Sequence, residues 1–213
     1  YCTACNMDEH FSETDAAVRE KLAGIARVTL HAPFNELFPC AIDPRVRALA
    51  ADRFREAIAL AKGYGAEKIV IHGGYNPQMY YPCWYTEQSA LFWKDFLRED
   101  PGVDIVLENV LEEEPEYLLD IVRSADHPRL GLCLDIGHVN AYSAVPVIDW
   151  LKHFAPYLRH FHLHNNDGSF DAHAPLDEGS IPMKEFLQRA LALCPAATFT
   201  LELQEDTARG ARW

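Results

Sequence analysis

The sequence predicts an α/β protein built as a (β/α)8 barrel, and three observations carry that prediction. Short apolar runs alternate with amphipathic stretches along the chain, and such alternation implies parallel strands joined by right-handed crossovers. Six of the runs end on a residue able to bind a metal: RVTLHAPF at His31, KIVIHGG at His72, DIVLENV at Glu108, LGLCLDIGH at Asp135 and His138, HFHLHNND at His162, and TFTLELQ at Glu202. An open doubly wound sheet gathers its site at one switch point, whereas a barrel turns the carboxyl ends of all its strands toward one centre. Six consecutive strands with ionisable ends favour the barrel.

The elements follow in order. A strand stub at YCTAC (1–5) precedes a helix over 12–26, opened by Ser12-x-x-Asp15 as a capping pair. After the His31 strand, a helix over 43–65 takes Pro44 in its first turn and stops at Gly63 and Gly65. The His72 strand leads to a helix over 86–100, and the Glu108 strand to one over 114–125 behind the acidic start LEEEPE. The Asp135 strand precedes a helix over 145–158, and the His162 strand one over 181–194. Counted this way, residues 1–213 form a single domain of six full strands, an incomplete barrel without its first strand and helix and without its last helix. The expectation is a piece of a longer protein.

Composition narrows the function classes. With 49% hydrophobic residues and no apolar run near the roughly 18 residues a bilayer span requires, the chain reads as soluble, without a membrane partner. A formal charge of -13 argues against a nucleic-acid or anionic-membrane surface, because both rely on clustered Lys and Arg. The six cysteines are scattered and no signal peptide precedes them, so reduced thiols in a cytoplasmic protein are expected. Cys2 and Cys5 form a lone CxxC, a weak zinc or redox signal.

Taken singly, each strand-end residue has an ordinary explanation. His31 reads as a hydrogen-bonded core histidine, and His72 before Gly73-Gly74 as part of an anion-holding turn. Glu108 reads as the partner of a buried arginine, and Asp135 as the cap of the following turn. Together they do not, because a buried ionisable group without a partner costs several kcal/mol or about as much in shifted pKa. The segment from 160 to 181 strengthens the case: His160, His162, His164, Asp167, Asp171 and His173 crowd into it without one Lys or Arg. Nitrogen and oxygen ligands without thiolates suit Zn2+, Mn2+ or Fe2+.

The order and spacing of HAPF, IHGG, LEN, LDIGH, HLHNND, DAH followed by PLDEGSI, and LEL resembles the xylose isomerase-like TIM-barrel superfamily over about residues 27–204. That superfamily includes endonuclease IV and the sugar isomerases and epimerases. Endonuclease IV's three-zinc pattern maps onto His31, His72, Glu108, Asp135, His138, His162, Asp171, His173 and Glu202. The one-metal epimerase pattern maps onto Glu108, Asp135, His162 and Glu202. Two departures matter. The endonuclease motif carries a Lys after its HLND-like segment and an Arg between the next Asp and His, and many epimerases place an Arg shortly after the metal-binding His. Here no Lys or Arg occurs from His160 to Met183.

The resemblance implies a metal-dependent sugar or sugar-phosphate isomerase or epimerase, with Glu108 and Glu202 as the acid/base pair at a divalent metal, Mn2+ or up to three Zn2+. An endonuclease IV-like zinc phosphoesterase is the alternative, and a non-catalytic metal- or carbohydrate-binding barrel the third reading. The expected partner is a small sugar, contacted by His164, Asn109, Tyr75 and Trp84. The aromatic run YNPQMYYPCWYTEQ is read equally as a stacking platform, a packed cap, or a subunit contact in a homo-oligomer. His10, His127 and His153 show no ligand spacing.

Overall fold

The structure, a computed structural model, describes residues 4–204. Cys2 and the first residues of the expected YCTAC stub lie outside the described residues, as does the chain from Glu205 onward. Ala4–Asn6 is a 3-10 turn rather than a strand.

Six strands form one all-parallel sheet in sequence order: β1 (Thr29–His31), β2 (Lys68–His72), β3 (Asp104–Glu108), β4 (Leu130–Asp135), β5 (Leu158–Leu163) and β6 (Thr198–Leu201). Consecutive strands are neighbours, as barrel topology demands, and the sheet curls into an arc. Its two sides differ in chemistry. Residues such as Leu30, Ile69, Ile71, Ile105, Leu107, Leu132, Leu134 and Phe161 point outward into the main core beneath the helices. Alternate residues point into the arc, where Val70, Val106 and Cys133 form a small dry band of their own. Above that band lie the strand ends. Below it Lys68, only 7% exposed, reaches across the arc from β2 to Thr198 Oγ1 on β6, 2.8 Å away.

There are seven helices among the described residues: α1 (Phe11–Leu22), which buries no residue, and α2 (Pro44–Gly63), α3 (Pro82–Phe96), α4 (Glu116–Ala125), α5 (Ile136–Tyr142), α6 (Val147–Phe154) and α7 (Met183–Leu193), which each bury several. In α2 the Asp43 side chain accepts from the Arg45 amide at 2.8 Å with Pro44 in the first turn, so cap and proline act together. Its inward stripe of Ala50, Phe54, Ala57, Ile58 and Ala61 is buried, and Phe54 stacks on Trp93 of α3.

Three expectations need correction. The Ser12/Asp15 cap of α1 does not form: the helix starts at Phe11, and Asp15 instead accepts from Arg19 (2.9 Å) and from the Tyr64 hydroxyl (2.7 Å). Helix α3 begins at Pro82 rather than 86, because a proline's fixed φ suits a first turn. The expected aromatic loop is thereby shortened, and Trp84 and Tyr85 become helical. Helix α5 was not anticipated. It grows directly from the end of β4, with Asp135 Oδ1 accepting from the His138 amide at 2.8 Å.

Candidate metal centre

The C-terminal ends of the strands converge on Glu108, whose side chain is 1% exposed. Its Oε1 lies 3.0 Å from His162 Nδ1 and 3.6 Å from His138 Nδ1. Its Oε2 lies 3.1 Å from His31 Nε2 and 3.5 Å from His72 Nε2. Glu202 comes to the same place just past β6, with Oε1 3.2 Å from His162 Nδ1. Among the described residues, no Lys or Arg pairs with Glu108, Asp135, Asp171 or Glu202; the expected buried arginine for Glu108 is replaced by histidines.

Donor atoms gather into overlapping sets, each able to surround one ion. One set is Glu108, Asp135, His162 and Glu202; a second is His31, His72 and Glu108; a third is His31, His162 and Glu202. A fourth lies to one side: His138, His164, Asp171 and His173. All nine side chains singled out from the sequence fall in these sets, and His164 joins them.

Backbone carbonyls orient the rings. Nδ1–H of His31 donates to Ala32 O (2.8 Å), that of His138 to Asn109 O (2.8 Å) and that of His173 to Glu202 O (2.7 Å). A carbonyl only accepts, so each Nδ1 carries a proton and Nε2 is the nitrogen left to face the site's carboxylates, free to bind a cation once it gives up its own proton.

Electrostatics inside the arc follow the partners. Burial alone would raise the Glu108 carboxyl, but the imidazoles of His162 and His72 override it and hold it well below the usual carboxylate range. Asp135 is likewise lowered against its burial by His138 and His164. Burial pushes His72 down to about 4. It would do the same to His138, but Asp135 and Asp171 outweigh it and raise that ring to about 10. Glu202 is raised, first by burial and despite His162. Ionised carboxylates facing imidazoles held in place by carbonyls are a donor set that fits a divalent cation, whose binding would release the ring protons.

The residues expected to contact substrate are placed differently. Tyr75 is 4% exposed and packs against Tyr85 and Tyr117, so it belongs to the core. Trp84 donates its indole N–H to Cys40 O (2.9 Å) and lies against the core. Asn109 spends its amide on the backbone of Asp135, donating to O and accepting from N at 2.9 Å each. His164 is fully buried, with Nε2 3.0 Å from Asp135 Oδ1. The aromatic run is thus mostly packed cap: Tyr75, Tyr80 and Tyr85 are buried, and Tyr81 alone of its tyrosines is fully exposed. Asp167 turns outward to bond Ser169.

Sequence reasoning also missed the support beneath the site. Glu112 is 2% exposed, accepts from the Tyr85 hydroxyl and the Val110 amide at 2.6 Å each, and lies against Gly73. A Cβ at Gly73 would sit 2.4 Å from Glu112 Oε1, so the first glycine after His72 serves close packing.

A curled parallel β/α arc with carboxylates and imidazoles at its C-terminal strand ends defines a barrel of the TIM type with a metal-binding mouth. The xylose isomerase-like TIM barrel family model matches residues 5–213, and the chain belongs to that family. An uncharacterized protein of Methanocaldococcus jannaschii is 34% identical over 177 residues, covering 76% of this chain and 59% of that one. The fructoselysine 3-epimerase of Shigella flexneri is 26% identical over 167 residues, covering 73% and 58%. The chain therefore spans about three fifths of the length of these two relatives. The crystal structure of a D-tagatose 3-epimerase-like protein superposes with a TM-score of 0.83 at 26% identity, over 94% of this chain and 80% of that one.

Proposed function

We propose that the chain carries the active site of a metal-dependent sugar epimerase or isomerase. The observation that carries this reading is the meeting of two glutamates on one imidazole: Glu108 and Glu202 approach His162 Nδ1 to 3.0 and 3.2 Å from different strands. The family's sugar 3-epimerase members support it. Glu108, Asp135, His162 and Glu202 would hold the cation, which when bound supplies Lewis acidity to a neighbouring carbonyl oxygen. Glu202, 26% exposed against 1% for Glu108, is the carboxylate a substrate reaches first. Glu202 and Glu108 act as an acid/base pair on opposite faces: the ionised one takes a proton from the carbon beside the carbonyl and the protonated one gives a proton to the other face, so one C–H bond breaks, another forms and the two glutamates exchange protonation states. His31 and His72 hold Glu108 Oε2 in place.

The test is proton exchange. The Mn2+- or Zn2+-loaded chain is incubated with ketohexoses in D2O; solvent deuterium should enter at the carbon that inverts as the epimer appears, and Glu202→Gln should abolish both. Loaded protein inert in this assay and toward phosphodiesters would instead support a non-catalytic binding barrel.

A second reading rests on the division of Glu108 between two donor sets. Each of its oxygens faces a different set, so Glu108 would serve two ions if both sets were filled. A zinc phosphoesterase uses such a pair of ions. Against it stands the absence of Lys and Arg from His160 to Met183, since phosphate contacts dominate binding to DNA. Cleavage of abasic-site DNA at ordinary salt, without sugar exchange, would favour this reading.

A further inference from the structure

Where the ladder between β3 and β4 stops, one side chain takes it over. The last residues the two strands pair are Glu108 and Cys133, and Asp135 lies two residues further along β4. There the Asn109 amide stands in for a peptide group: Nδ2 donates to Asp135 O and Oδ1 accepts from Asp135 N, both at 2.9 Å. A carbonyl only accepts and a backbone N–H only donates, so this pair of bonds admits one orientation of the amide. The backbone O of the same residue accepts from His138 Nδ1 at 2.8 Å. Asn109 is 1% exposed, and these bonds are made away from water.

The groups it holds are donors. Asp135 stands in the set with Glu108, His162 and Glu202, and His138 in the set with His164, Asp171 and His173. Asn109 follows Glu108 directly in the chain, so one residue relates the central carboxylate to a donor in each of two sets. The turn that carries it is braced from behind, because Glu112 accepts from the Val110 amide through one oxygen and from the Tyr85 hydroxyl of α3 through the other. Asn166 is the contrast. Its amide is just as buried and as fully bonded, donating to Gly137 O (2.9 Å) and accepting from Asn140 Nδ2 (2.7 Å) and Gly168 N (3.0 Å). None of these three partners belongs to a donor set.

We propose that Asn109 is a positioning residue of the site, setting the direction of the Asp135 carboxylate and the His138 ring relative to Glu108. Holding both the N–H and the C=O of Asp135 fixes the two planar peptide units that flank its Cα, and with them the direction in which its side chain leaves the strand. The part Asn109 plays in turnover rests on the proposed sugar chemistry, whereas its part in holding a cation does not. Partners that orient metal-binding side chains are worth about ten- to a hundredfold in metal affinity or activity.

The test compares Asn109→Ala with Asn166→Ala in the full chain. Mn2+ and Co2+ affinities are read by competition titration, the bound Co2+ by its visible absorption, and turnover by kcat and KM for deuterium uptake into a ketohexose. Asn109→Ala should weaken metal binding about ten- to a hundredfold, shift the Co2+ bands, and at saturating metal lower kcat at least about tenfold with KM held within about threefold. Asn166→Ala should lower Tm by a similar amount, yet leave the Co2+ bands in place and affinity and kcat within about threefold. Should Asn109→Ala fail to fold, Asn109→Asp carries the same expectation for the Co2+ bands and kcat: it has the same shape but sets an acceptor against Asp135 O, which needs a donor. A rise in KM at unchanged kcat and affinity would overturn the proposal, because it describes a substrate contact. So would equal losses of affinity and kcat in the two alanine variants, which describe packing alone, or an Asn109→Ala variant that matches the unaltered chain. If the unaltered, metal-loaded chain takes up no deuterium, the sugar chemistry falls, and metal affinity and the Co2+ bands still decide the role of Asn109.

Discussion

His160 and His162 lie two residues apart on the same face of β5, both almost fully buried, yet they do opposite things. His160 is at the floor of the arc, where its two nitrogens meet the hydroxyls of Thr198 (2.6 Å) and Thr200 (3.0 Å). Burial pushes it down to about 3, and it stays neutral. His162 is at the rim, where burial is overridden by the Cys133 sulfur and the Glu108 carboxylate and the ring is raised well above the usual range. A buried histidine is thus not a ligand by virtue of burial or spacing. Carboxylates charge the ring at the rim, and hydroxyls make the ring at the floor a structural crosslink.

The contrast breaks most visibly if the rim is not a reaction site. Glu202→Gln should lower epimerisation or exchange at least about a hundredfold while leaving the thermal melt of the chain in place. A smaller loss at constant fold would remove Glu202 from acid/base chemistry. Next comes metal uptake. His162→Asn should weaken binding of one ion by roughly ten- to a hundredfold in a competition titration, whereas His160→Asn should change it less than about threefold. Equal effects would erase the distinction between rim and floor.

Packing sharpens the same comparison. Gly137→Ala, at the rim, drives a Cβ into the His164 ring and should cost about 3 kcal/mol in a urea melt. Gly131→Ala, at the floor, meets Arg159 Cδ at 2.7 Å, a side chain able to move, and Tyr157 O at 2.9 Å; about 1 kcal/mol is expected. A further effect concerns pH. Because folded His160 titrates near 3 and the unfolded ring near 6.5, the unfolded chain binds more protons between those values. Its contribution is present above about pH 6.5 and is lost as pH falls toward 3, by about 2 kcal/mol at pH 5. His160→Asn should flatten that part of the stability profile.

Much of the rim was legible because a parallel strand buried on both faces has no other use for repeated ionisable ends. His31, His72, Glu108, Asp135 and Glu202 announce themselves by interrupting apolar runs. The pattern does not say which neighbour a side chain meets. His160 and His162 share one alternation, and only the threonines of β6 tell them apart. Tyr75 and Trp84 were misplaced because an aromatic in a presumed loop looks the same whether it faces a ligand or caps a core; Pro82, read as a helix start, would have signalled the difference. Asp135 was read as the cap of a turn, and the sequence did not show that the capped turn continues into helix α5. His164 was assigned to substrate for want of any view of its burial.

The Lys68 ammonium, held by Thr198 Oγ1 across the interior, is the tie-rod of an unclosed hoop. Among the described residues β1 and β6 share no ladder, so backbone pairing alone does not set how tightly the arc bends. A buried cation at the floor is then a side-chain link between two strands that share no ladder, β2 and β6. The link lies at the opposite end of the strands from the gathered carboxylates and imidazoles.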